Sequence, residues 1–198
     1  MSRSTLLRRL GVLRTPVLIA TLALAACGEP EPLSPQELMD PAICQNCHPQ
    51  HYREWAGSMH AYAAEDPVFL AMNARGQRET QGALGSFCVQ CHAPMAVRTG
   101  ATTDGLNLRS LPAALRGVTC YFCHQVTDVA GTHNNPLALA NDSTLRGAID
   151  QPLPARTHRS AASPLHDRQQ PDSSALCGSC HDVVTPAPHS VDLERTYK

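Results

Sequence analysis

The chain has 198 residues, with 16 Lys and Arg against 17 Asp and Glu, a formal net charge of -1 and a pI near 6.8. Nothing basic is clustered beyond the N-terminal segment, which argues against nucleic acid as a partner and leaves redox proteins or small molecules. One Trp, four Tyr and three Phe are a thin aromatic supply for a core, so apolar surface has to come from elsewhere.

Residues 1–26 carry Arg3, Arg8, Arg9 and Arg14 ahead of the apolar run Val17 to Ala26. That run is too short to span a bilayer and reads as a signal peptide. Leu24-Ala25-Ala26-Cys27 has the Leu-small-small-Cys form of a bacterial lipobox, which predicts cleavage before Cys27 and acylation of that residue. An ordinary secretory signal with an incidental cysteine is the alternative, but a lone thiol in an oxidising compartment is a hazard. The expected location is the bacterial envelope, lipid-anchored and facing the periplasm. Gly28 supplies no aspartate-type retention signal after Cys27, which favours the outer membrane. Residues 27–41 are Pro-rich and polar and read as a tether, with order setting in near Gln36.

From residue 42 onward four copies of Cys-x-x-Cys-His follow: Cys44, Cys47 and His48; Cys88, Cys91 and His92; Cys120, Cys123 and His124; Cys177, Cys180 and His181. Each has the form of a covalent attachment site for haem c, two thiols reaching the porphyrin vinyls and the adjacent imidazole lying under the iron. Zinc ribbons and redox dithiols also use Cys-x-x-Cys but do not explain the histidines. With 10 His in the chain, four such coincidences are expected about six times in a million. The reading is therefore four haem c groups in a 42–198 domain. Eight of the nine cysteines are used in this way, which leaves no disulfide.

Between the motifs, Tyr52, Trp55, Met59 and Tyr62 recur at helical steps and predict one amphipathic helix from His51 to Ala64, with Met59 in the core. Pro67 opens a second helix to about Thr80, capped by Asp66. Residues 82–111 read as mostly loop. Residues 128–164 read as short helices in irregular loops, with no strand-like alternation. The fold class expected is mainly α with long irregular loops, compact and packed around covalent haems. The motifs start 44, 32 and 57 residues apart, which is not a solenoid period.

The segment His48-Pro49-Gln50-His51-Tyr52-Arg53-Glu54-Trp55-Ala56-Gly57-Ser58-Met59-His60 resembles the CH-x-x-x-Tyr-x-x-Trp-x-x-Ser-x-His signature of the cytochrome c-554 family, related to octahaem reductases and hydroxylamine oxidoreductase. Gly117-Val118-Thr119-Cys120 and Leu176-Cys177-Gly178-Ser179-Cys180-His181-Asp182-Val183 extend the likeness. Relatives continue past a Leu-Glu-Arg-Thr-Tyr stretch such as Leu193 to Tyr197, so Lys198 is expected to be a truncation point. The resemblance implies that His60 is a distal haem ligand, serving an iron other than that of His48. It places His158 at a similar ligand position.

His133, on a flexible loop shortly after His124, is a further candidate ligand. His51, His166 and His189 read as surface or loop histidines, and Met59 and Met95 as less favoured thioether ligands. Three distal ligands for four irons leave one unaccounted for. Two functions follow: relay of single electrons to redox partners, or reduction or oxidation of a small inorganic nitrogen or sulfur compound at a five-coordinate iron. The carrier is favoured over the catalyst. No Lys replaces a motif histidine, which removes the signature of ammonia-forming nitrite reductases.

Overall fold

The computed structural model describes residues 31–185 and the backbone of residues 192–195. The signal and lipobox assignments, Cys27 and His189 lie outside the described residues. Among the described residues, no helix is long and apolar enough to cross a membrane.

Nine short helices punctuate the described chain: α1 (Pro35–Leu38), α2 (Pro41–Gln45), α3 (Pro49–Ala56), α4 (Met59–Tyr62), α5 (Pro67–Glu79), α6 (Val89–His92), α7 (Pro94–Arg98), α8 (Cys120–His124) and α9 (Ser174–Gly178). Five of them open on proline, whose fixed φ suits a first helical turn and whose missing N–H is not needed there. Side-chain caps do the rest. Ser34 and Glu37 close a capping box on α1, Asp40 accepts from Ala42 N, and Asp66 accepts from Val68 N and Phe69 N. Helix α1 thus falls within the stretch assigned to the tether, and its Leu38 is buried.

Two expectations are corrected. The helix predicted from His51 to Ala64 is broken: Gly57 ends α3, and Ser58 N-caps α4 by accepting from Ala61 N. The break turns Met59 outward, 65 % exposed rather than in the core. Periodicity alone could not reveal it, because the polar cap costs the helix two positions without disturbing the three- and four-residue steps. The segment 128–164 contains strands. β1 (Val126–Val129) pairs antiparallel with β2 (Leu137–Leu139), and β3 (Thr144–Gly147) pairs in parallel with β4 (Arg159–Ala162). Strands this short carry too few residues to show alternation. Residues 82–111 hold α6 and α7 besides loop. A third ladder joins β5 (Asp182–Val184) to β6 (Asp192–Arg195).

Two apolar clusters share α7 as their wall. Met95 packs with Leu38, Tyr121, Phe122, Val126 and Leu137, while Ala93 and Ala96 pack with Ala64, Phe69, Val89 and Leu108. The first cluster is built on the third Cys-x-x-Cys-His segment and the second on the second. Burying a side chain such as Phe122, 2 % exposed, contributes about 1.5–3 kcal/mol. Most of the packing therefore surrounds the motifs.

Candidate haem-binding site

In the third motif a single helical turn carries the whole pentapeptide, so Cys120, Cys123 and His124 share one face. Thr119 caps that turn by accepting from Phe122 N. The backbone just before it is docked on the end of α4. Val118 N donates to His60 O at 2.8 Å, and Trp55 Nε1 donates to Val118 O at 2.8 Å. Gly117 makes this approach possible: its φ is +71°, and a Cβ there would lie 2.6 Å from Ala61 O and 2.7 Å from His60 O.

The motifs meet in pairs. The Cys120 thiol hydrogen-bonds Cys44, which lowers the Cys44 pKa to about 7 and raises that of Cys120. A cavity of about 350 Å³ lies between these two motifs, lined by Cys44, His48, Cys120, His124, Arg146 and His158. Cys91 and Cys180 contact each other in the same way, Cys180 lowered and Cys91 raised. Burial, with the nearby Cys180 and Cys177, pushes the Cys123 thiol up to about 12.

Each of three motif histidines has a second imidazole from a distant part of the chain set against it. The ring centroids of His48 and His158 are 6.3 Å apart, those of His124 and His166 5.8 Å, and those of His181 and His60 6.1 Å. A metal-bound imidazole nitrogen lies about 2.0 Å from the metal, and a further ~1.1 Å separates it from its ring centre, so two imidazoles across one iron stand about 6 Å apart. The three pairs match that separation. His51 is also 6.1 Å from His48, but it follows on the same helix, three-quarters exposed and turned toward Glu54. A residue on the proximal helix cannot reach the opposite face of the iron, so His158 is the partner that fits.

Ring protons are placed to suit a metal. His92 Nδ1 meets Ala63 O at 3.0 Å, His124 Nδ1 meets Arg146 O at 2.5 Å, and His158 Nδ1 meets Arg159 O at 3.0 Å. A carbonyl can only accept, so these bonds put the proton on Nδ1 and leave the Nε2 lone pair for a metal. In His166 it is Nε2 that donates to Cys123 O at 2.8 Å, and Nδ1 is buried without a partner. Burial lowers the pKa values of His48, His60, His92 and His124, holding them in the neutral form that ligation requires. The donor set and its spacing therefore fit covalent haem.

The second motif differs. Its His92 ring stacks on Phe69 at 3.9 Å, and no imidazole is in ring contact with it among the described residues. Of the sequence candidates, His60 and His158 are brought to motif histidines. His133 is not: it lies on an exposed loop with its Nδ1 3.2 Å from Thr132 Oγ1. His166, read as a loop histidine, stands in the place expected of a ligand. Met95 is buried in the core.

The residues next to His133 also matter. Asn134 and Asn135 both have positive φ, 61° and 55°, which asparagine tolerates better than other non-glycine residues. Asn135 Nδ2 donates to Gln90 O in the second motif, and Asn135 N donates to Ser179 O in the fourth at 2.7 Å. Asn134 Nδ2 donates to Val184 O at 2.8 Å, and its Oδ1 accepts from Val184 N at 3.0 Å. This loop clamps the second motif to the fourth. The available signal was the Asn-Asn pair itself, a turn marker.

Residues 43–125 match the family described as cytochrome c554 and c-prime. Among solved structures, a penta-heme cytochrome c552 from Thermochromatium tepidum is similar at 27% sequence identity with a TM-score of 0.54, covering 77% of this chain and 47% of that chain. The chain thus spans about half the length of that cytochrome. No curated protein matches the sequence.

Proposed function

Since the chain is a multihaem c-type cytochrome of the c554 type, we propose that it carries four covalent haems and relays single electrons between redox partners at the periplasmic side of a bacterial envelope membrane, anchored by lipid on Cys27. When bound, the haems supply the one-electron chemistry. The chain's own residues fix their spacing and set each potential through axial ligand, burial and nearby charge.

The observation that carries this reading is the set of three histidine pairs. His48 with His158, His124 with His166 and His181 with His60 would each supply two protein ligands to one iron, which would close three irons to small molecules. Contacts between motifs support an order for the relay. The Cys44–Cys120 and Cys91–Cys180 contacts join the first motif to the third and the second to the fourth, and Cys123 and Leu176, the residue before Cys177, pack against one apolar cluster, which brings the third beside the fourth. The order is therefore first, third, fourth, second.

His92 favours a second reading at one end of that series. With Phe69 beside it and no second imidazole in ring contact among the described residues, the second iron would keep a position open to a small nitrogen or sulfur compound. A pyridine haemochrome assay and EPR of the oxidised protein test both readings. Four haems per chain, three low-spin and one high-spin, are expected. Fewer than four haems refutes the tetrahaem assignment, and four low-spin haems refute the open site.

A further inference from the structure

Residues 148–156 form a loop that leaves β3 and crosses to its parallel partner β4. Ile149 and Leu153 on this loop are 70 % and 86 % exposed, among the most exposed large apolar side chains of the described chain. Two exposed arginines, Arg156 and Arg159, follow them, against Asp150 within the loop. The N-terminal segment is tied to the foot of the same loop: Leu33 N donates to Thr157 O at 2.9 Å, and Leu33 O accepts from Ser143 Oγ at 2.8 Å.

Cys27 precedes Leu33 by six residues. Whatever path they take, six residues reach at most about 20 Å. A lipid on Cys27 therefore keeps the foot of the loop close to the bilayer that holds it.

We propose that the 148–156 loop is a membrane-contact surface, with Ile149 and Leu153 entering the headgroup region and Arg156 and Arg159 facing anionic headgroups. This rests on the lipid anchor proposed above. It gives Leu153, 86 % exposed and outside the lining of the cavity between the first and third motifs, an apolar environment. It also directs the mouth of the cavity shared by the first and third motifs toward the membrane, because Ile149 and Pro152 line that cavity.

The test uses the full-length haem-loaded protein in vesicles of phosphatidylethanolamine and phosphatidylglycerol, beside the Cys27→Ser protein in solution. Mass spectrometry first establishes whether Cys27 is acylated; an unacylated Cys27 overturns the anchor and this placement with it. Amide hydrogen exchange at 148–156 is then expected to slow at least tenfold in vesicles, while residues 82–85, a surface turn elsewhere, exchange equally in both. Equal exchange at 148–156 in the two preparations, with Cys27 acylated, overturns the membrane contact alone; that is also the result expected if a haem covers the loop instead. As a second measure, Ile149→Ser with Leu153→Ser in the Cys27→Ser protein is expected to lower its partition onto the same vesicles at least tenfold. An unchanged partition overturns the proposal.

Discussion

Gly117→Ala tests whether the approach of the third motif to the end of α4 holds the site together. At φ +71° a Cβ costs about 1–2 kcal/mol in left-handed strain. It would also stand 2.6 Å from Ala61 O and 2.7 Å from His60 O, closer than real Cβ contacts come, so the backbone has to separate. Separation loses the 2.8 Å bond from Val118 N to His60 O, worth about 1 kcal/mol. The sum is about 2–3 kcal/mol, or a fall of about 4–12 °C in Tm for a chain of this size. Gly82→Ala is the control: φ is +85° but nothing lies within 4 Å, so it carries the strain alone. Thermal unfolding followed in the Soret band reads both, and EPR reads the consequence at the site. Because the displaced backbone carries His60, Gly117→Ala is also expected to turn part of the low-spin signal high-spin, which Gly82→Ala does not. Equal Tm values for the two variants, with unchanged spin state, would refute the docking argument.

His166→Ala is expected to convert one low-spin haem to high-spin, whereas His133→Ala, on its exposed loop, leaves the EPR spectrum unchanged; the opposite pattern would restore His133 as the ligand. Asn135→Ala removes the side-chain bond to Gln90 O and is expected to lower stability by about 1–3 kcal/mol in denaturant titration, with no loss of haem content. Acid is expected to weaken the site. Burial lowers the pKa values of His48, His60, His92 and His124 below the ordinary 6.5, so on acidification the unfolded chain takes up protons first. The stability these groups contribute is complete above about pH 6.5 and is lost as pH falls below it, which a low-spin absorption band followed against pH would record; loss on the alkaline side would contradict the sign.

The Cys-x-x-Cys-His segments were legible in the sequence because attachment is a local matter. Five consecutive residues hold both thiols and the proximal imidazole, and one helical turn is enough to bring them to one face. Proline and cap positions were legible for the same reason, as Pro67 and Asp66 illustrate. The opposite faces of the irons were another matter. His158 reaches His48, and His60 reaches His181, across more than half of the chain; the resemblance marked both as ligand candidates, but nothing within a few residues of either says which motif histidine it faces. Of the two loop histidines His133 and His166, the sequence favoured His133 as a ligand, and the structure reverses that order. Tertiary packing separates them, because the β3–β4 ladder and the turn that follows it carry His166 to His124, while the neighbouring Asn134 and Asn135 spend their loop clamping the second motif to the fourth and leave His133 outside. The local motif thus marks where haem would attach, and long-range contacts, such as Val118 N to His60 O, decided which imidazoles stand across from one another.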